Sequence, residues 1–173
     1  MTAAVPQSQE SSFDFEAAFR LNYARVARLI ARIVRDPGRA EELAVEVFYR
    51  LWRNPKAQGD KVGGWLYRTA VRAGLYELRR QGRRERVAHL LGHGPRPANP
   101  AEVHESAEDQ RRVREVLAKM DPQRAELVLL RSAGLSYAEL AAALDLNPAS
   151  VGTLLSRAQQ VFRKEYIKRY GQP

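Results

Sequence analysis

Between Lys61 and Arg86 the chain sets eight basic residues against two acidic ones, Glu77 and Glu85, and interleaves them with Trp65, Tyr67 and Tyr76. Guanidinium groups neutralise phosphates and aromatic faces stack on unpaired bases, so "GWLYRTAVRAGLYELRRQGRR" carries the residue types that hold single-stranded nucleic acid. A plainer reading puts Trp65 and Leu66 in a core and lets the arginines solubilise a helix end. The density of cations favours phosphate contact. A second stretch, "SYAELAAALDLNPASVGTLLSR" at 136–157, has the outline of two short helices joined by a tight turn, yet holds one basic residue, Arg157. Its second helix would set Val151, Leu154, Leu155, Ala158 and Phe162 on one stripe and Ser150, Thr153, Arg157 and Gln160 opposite. Small hydroxyls, one arginine and an open helix N-terminus suit the major groove of duplex DNA. The competing reading is a helical hairpin packed for stability or partner contact.

Catalytic chemistry finds little support in the same residues. Serines, carboxylates and histidines form no activated-nucleophile or acid–base grouping, no phosphate-cradling glycine loop occurs, and there is no cysteine. His89 and His93 are four apart with His104 and Glu105 beyond, but they fall in or beside a Gly/Pro-rich stretch that would not hold a metal rigidly. The expectation is a chain with no catalytic residues, no cofactor and no metal.

The elements that must position these groups read as helices throughout. Apolar residues recur at helical spacing, as in Phe15, Phe19, Val26, Ile30 and Ile33, and alternating strand patterns are missing, so the fold class is all-α. Asp36–Pro37, Asp121–Pro122 and Asn147–Pro148 each place a capping side chain before a proline suited to a first helical turn. Ser136 with Glu139 makes a capping box, and the helix of residues 40–53 must stop before Pro55. Asp145, in the turn "DLN", sits where a positive φ is needed. The stretch "LGHGPRPANPAEV" concentrates glycine and proline and has little to bury, which predicts a flexible linker. Two helical domains with separate cores follow: 13–88, a linker at 89–107, and 108–170. The formal net charge of +9 over 173 residues implies a polyanionic partner, nucleic acid ahead of an anionic membrane surface. The absence of cysteine suits a reducing cytosol, and neither a secretory leader nor a bilayer-spanning run is visible, so a cytoplasmic protein without membrane insertion is expected.

Taken in order, "AEELAVEVFYRLWR", "GGWLYRTA", "ELRRQGRR", a linker and a C-terminal helix-turn-helix resemble an extracytoplasmic-function sigma factor, the two-domain form of bacterial sigma factors. The resemblance spans about Phe13 to Phe162 and rests on order and spacing. It implies that the first domain binds core RNA polymerase through Leu43, Glu46, Phe48, Leu51 and Trp52. It implies further that Trp65, Arg68, Arg72, Arg79, Arg80 and Arg83 open and hold the minus-ten promoter element. Ser150, Thr153, Ser156 and Arg157 would read the minus-thirty-five element. Partners would then be core polymerase and promoter DNA, duplex and melted, with room for an anti-sigma factor clamped between the domains. The chain departs from the family pattern at Glu42, Val45, Arg72, Tyr76, Asp145 and Leu155; at Leu155 the usual lysine, and with it a DNA contact, is missing. Two other functions stay open: a conventional helix-turn-helix regulator acting without polymerase, and a sigma-like protein acting mainly through protein contacts.

Overall fold

A computed structural model describes residues 13–92 and 105–172. The first helix, α1 (Phe15–Ile33), starts on Asp14, whose carboxylate accepts the Ala17 N–H at 2.8 Å. The next, α2 (Pro37–Trp52), starts on Asp36, which accepts the Arg39 N–H at 3.1 Å, with Pro37 in its first turn. Both caps satisfy an N–H that the helix itself leaves unpaired. Chain direction changes at Asn54 and a short turn, Pro55–Ala57, before α3 (Val62–Leu90), the longest element.

These three helices pack around Val26, Ile30, Ile33, Val47, Leu51, Leu66 and Val71, all buried. One end is sealed by aromatics: Phe48 meets Phe15, Phe19 and Tyr23 with ring centroids 6.5, 4.8 and 5.9 Å away. Gly74 lets α1 and α3 approach closely, since a Cβ there would lie 3.0 Å from Ile33 Cδ1.

The second group comprises α4 (Glu105–Lys119), α5 (Pro122–Ser132), α6 (Tyr137–Leu144) and α7 (Val151–Tyr170). Asp121 caps α5 by accepting the Arg124 N–H at 3.2 Å. The Ser136–Glu139 capping box forms in both directions at the start of α6. Asp145 ends α6 in the left-handed region, at φ 56° and ψ 47°, as the turn demands. Asn147 caps a short turn at Pro148–Ser150, so α7 begins only at Val151.

The expected linker of 89–107 narrows at both ends, to the Gly/Pro-rich stretch itself: α3 runs on to Leu90 and α4 starts at Glu105, with 93–104 outside the described residues. Two separate cores were also expected, and here the structure differs. Buried residues of both helix groups form one continuous apolar cluster. The physical reason lies in α3, which buries Leu66, Ala70, Val71, Ala73, Leu75 and Leu78 and is therefore apolar on more than one side. One side faces α1 and α2, and others receive α4, α5 and α6. Among the described residues no helix is long and apolar enough to cross a membrane.

Candidate nucleic-acid interface

On α2 the five residues matched to polymerase binding divide into two sets. Leu43, Phe48 and Leu51 are buried in the core of the first helix group, so they shape the helix surface without presenting to a partner. Trp52 is 61% exposed, and Glu46 reaches solvent. The exposed side also carries Val45 and Tyr49, 56% and 53% exposed, which the matched pattern had not included. Tyr49 and Trp52 lie with centroids 6.0 Å apart, and the Arg53 guanidinium sits 5.7 Å from the Tyr49 ring. Their signal was present in the spacing: 42, 45, 46, 49 and 53 form the stripe opposite Leu43, Val47 and Leu51. Arg39 closes the base of this face, donating to Glu42 at 2.8 Å and to buried Glu77 on α3 at 3.2 Å. The bonds to both carboxylates raise the Arg39 pKa above its ordinary value.

Along α3 the aromatics separate in the same way. Tyr67 is buried, donates its hydroxyl to Asn22 at 3.0 Å and lies under the Arg25 guanidinium at 4.7 Å, so it does not offer a face to a base. Trp65 is half-buried against the core, and Tyr76, at 63% exposure, is the open ring. The arginines also divide. Arg83, Arg84 and Arg86 are exposed near the C-terminal end of the helix. Arg68 and Arg80 are half-buried, each with a shielded and unpaired Nε, and Arg80 lies 3.8 Å from Glu77. Arg72 and Arg79 are committed to the second helix group. Arg72 donates from Nε and Nη2 to the two carboxylate oxygens of Glu126 at 2.8 and 3.4 Å. Arg79 donates to the carbonyls of Ala118 and Met120 at the end of α4, both at 3.0 Å.

Ser150, in the turn that leads into α7, and Thr153, Ser156 and Arg157 on α7 are all exposed, the last three on the side away from buried Val151, Leu155 and Ala158. Leu155 therefore packs inward; its place in the core, and no open face, is where the lysine is missing. Arg157 lines a cleft of about 400 Å³ together with Arg68 and Arg72 of α3 and Arg124 and Glu126 of α5. Four arginines share that cleft with two acids, Asp121 and Glu126, which leaves it a net positive lining.

Comparison with known proteins decides what these surfaces belong to. Residues 18–84 match the family "Sigma-70 region 2" and residues 110–160 match "Sigma-70, region 4". The ECF RNA polymerase sigma factor SigK of Mycobacterium bovis is 31% identical over 160 residues, covering 86% of this chain and 83% of that protein. This chain belongs to the ECF RNA polymerase sigma factors. SigK of Mycolicibacterium vanbaalenii is 29% identical over 164 residues, covering 91% of this chain and 84% of the relative. The fold matches a solved sigma factor, RpoE of Bartonella quintana in complex with the anti-sigma factor NepR. That match has a TM-score of 0.53 at 17% identity and covers 89% of this chain and 97% of the other. As a sigma factor the chain directs promoter-specific transcription initiation, and the two family matches fall on the α2–α3 and α5–α7 surfaces described above. Among the described residues of this sigma factor no group of three His, Asp or Glu side chains is placed to hold a metal; His93 and His104 lie outside them.

Proposed function

We propose that this sigma factor docks on core RNA polymerase through the exposed side of α2, with Val45, Glu46, Tyr49 and Trp52 as contacts. Along α3, Trp65, Arg68, Arg72, Tyr76, Arg79, Arg80 and Arg83 hold the melted minus-ten strand. The exposed N-terminal turns of α7, with Ser150, Thr153, Ser156 and Arg157, enter the major groove of the minus-thirty-five element. Residues 13–88 and 108–170 work as two units tethered through 89–107. The observation that supports this reading is the pairing of an exposed aromatic patch on α2 with a helix that carries an open tyrosine and a run of free arginines. Apolar aromatic anchors suit a protein partner, and cations with an open ring suit a nucleic-acid strand.

Bond making belongs to the polymerase; the sigma factor supplies binding and strand separation, acts in the cytoplasm and needs neither cofactor nor metal. An anti-sigma protein is a further partner by analogy with the solved relative, which was captured with one. The test mixes the purified chain with bacterial core polymerase and a promoter library and maps transcript starts. Sequence-specific starts that vanish without the chain support the reading. Duplex binding without polymerase, and no directed starts, refutes it.

A further inference from the structure

Along α1 and just past its end, arginines recur at 25, 28, 32 and 35, a spacing of three and four that sets them on one side of the helix. That side belongs to none of the three surfaces assigned above. It forms one wall of a cleft of about 650 Å³ that α4 and α5 close, lined by Arg28, Arg32, Arg114, Asp109 and Ser132. Arg28 and Arg32 also border a smaller cleft of about 160 Å³, together with Arg25. We propose that the larger cleft is a binding site for an oligophosphate, a compact anion with two or more adjacent phosphate groups, held by Arg28, Arg32 and Arg114.

The guanidiniums are already aimed. Arg28 donates from Nε to the Ala24 carbonyl at 3.2 Å, Arg114 from Nε to the Arg32 carbonyl at 3.4 Å, and Arg32 from Nη1 to the Ser132 carbonyl at 3.3 Å. Each side chain is thus tethered to backbone by one nitrogen, which leaves the outer Nη pair of Arg28 and of Arg114 for a ligand. A planar fork held in this way takes phosphate oxygens two at a time. Among the described residues, none of Arg28, Arg32, Arg35 and Arg114 forms an ion pair, and Asp109 faces Arg112 at 3.7 Å. Burial, and then the Arg35 charge, hold the Arg114 pKa below its ordinary value, so the cluster carries a repulsion that a bound anion relieves. Four guanidiniums against the Asp109 carboxylate leave three positive charges. One phosphate group carries about −1.5 to −2 at pH 7, so a single one leaves the cluster cationic and two or three adjacent groups neutralise it. Val113 and Leu117 add an apolar side to the lining, which suits a nucleoside attached to the phosphates. Duplex DNA fits less well, because its backbone is met by cations on an outer face, whereas these arginines line a concavity of small-molecule size. Binding here needs neither polymerase nor promoter, so it stands or falls apart from the promoter reading.

Isothermal titration calorimetry of the full chain tests this with inorganic tripolyphosphate and, separately, ATP, both free of magnesium and at about 0.15 M salt. Expected is saturable one-to-one binding of at least one probe, weakened about tenfold or more in Arg28→Ala/Arg32→Ala. Arg163→Ala/Lys164→Ala, which loses the same charge from exposed positions on α7, should bind as the wild type does. Tighter binding of ATP assigns the site to a nucleotide, and tighter binding of tripolyphosphate assigns it to an inorganic chain. Arg114→Lys keeps the charge but loses the planar fork, so its Kd should rise severalfold. With circular dichroism as the check on folding, that variant decides the question if the double alanine variant unfolds. No saturable binding of either probe, an equal loss in both double variants, or an unchanged Kd in Arg114→Lys overturns the proposal. A short DNA duplex that binds through Arg28 and Arg32 where neither probe saturates overturns it too, in favour of a nucleic-acid contact.

Discussion

Phe48 and Trp52 lie four residues apart on one helix and match the same polymerase-binding pattern, yet the structure buries the first and exposes the second. Phe48 is 2% exposed and touches three rings, at 4.8, 5.9 and 6.5 Å. Truncation to alanine removes a whole buried ring, and such changes cost about 3–5 kcal/mol. A domain is typically stable by only about 5–15 kcal/mol, so Phe48→Ala removes a large share of the total. Trp52 is 61% exposed, and Trp52→Ala is expected to change folding stability by no more than about 0.5 kcal/mol. As an aromatic anchor at a protein interface, its loss should cost about 2 kcal/mol of binding, roughly thirtyfold in Kd. Urea unfolding followed by circular dichroism, together with core-polymerase binding by a labelled chain, measures both. The reasoning is refuted if Phe48→Ala stays as stable as the wild type, or if Trp52→Ala binds polymerase with unchanged Kd.

Further consequences concern charge and backbone. Arg83→Ala removes an exposed cation from the end of α3, so the slope of log affinity against log salt for melted minus-ten DNA should shrink by about one unit; an unchanged slope removes it from the phosphate contacts. Tyr170 donates its hydroxyl to Glu115 at 2.5 Å, and burial, then this bond, push its pKa from 10.0 up to about 12. The folded state thus holds the proton more tightly, so this stabilisation is complete below about pH 10 and is lost as pH rises towards 12. Tyr170→Phe should flatten the alkaline stability profile over that window, seen as melting temperature against pH. Asp145→Gly relieves a left-handed residue at φ 56°; thermal melting should register a gain of about 0.5–1 kcal/mol.

What could be read in the sequence was local. Asp36, Asp121, Ser136 with Glu139, and Asp145 each act on groups within a few residues of themselves, and each stands in the structure where the spacing put it. Asn147 caps as expected, but the proline after it opens a tight turn and not the helix itself. The polymerase-binding pattern was harder, because a matched motif mixes residues that fold a helix with residues left exposed on its surface. Leu43, Phe48 and Leu51 are of the first kind, and only their place on the helical stripe separates them from Val45, Tyr49 and Trp52. Tyr67 was read as a base-stacking ring for the same reason; its hydroxyl finds Asn22, 45 residues away, and burial follows. Pairing at that range leaves no periodic trace. Arg72 with Glu126, 54 residues apart, and Arg79 with the carbonyls of α4 are likewise invisible in a charge count, which sees arginines but not which of them are already satisfied.

These divisions imply an order of events. In the structure Arg72 and Arg79 are engaged internally, whereas Val45, Tyr49 and Trp52 on α2 are exposed. The exposed N-terminal half of α7 carries only Arg157, and the later cations Arg163 and Lys164 lie beyond its reading turns. Duplex DNA meeting this chain alone would gain few phosphate contacts there and would have to displace Glu126 from Arg72 to gain more. Polymerase faces no such competition, because the surface it would use is not covered. On the proposed docking through α2, polymerase binding would precede DNA engagement, and the near-neutral reader on α7 would act after the polymerase has supplied affinity. Under that order Arg157, Thr153 and Ser156 need only discriminate among sequences, which is the work that small polar side chains and a single guanidinium in a major groove are suited to do.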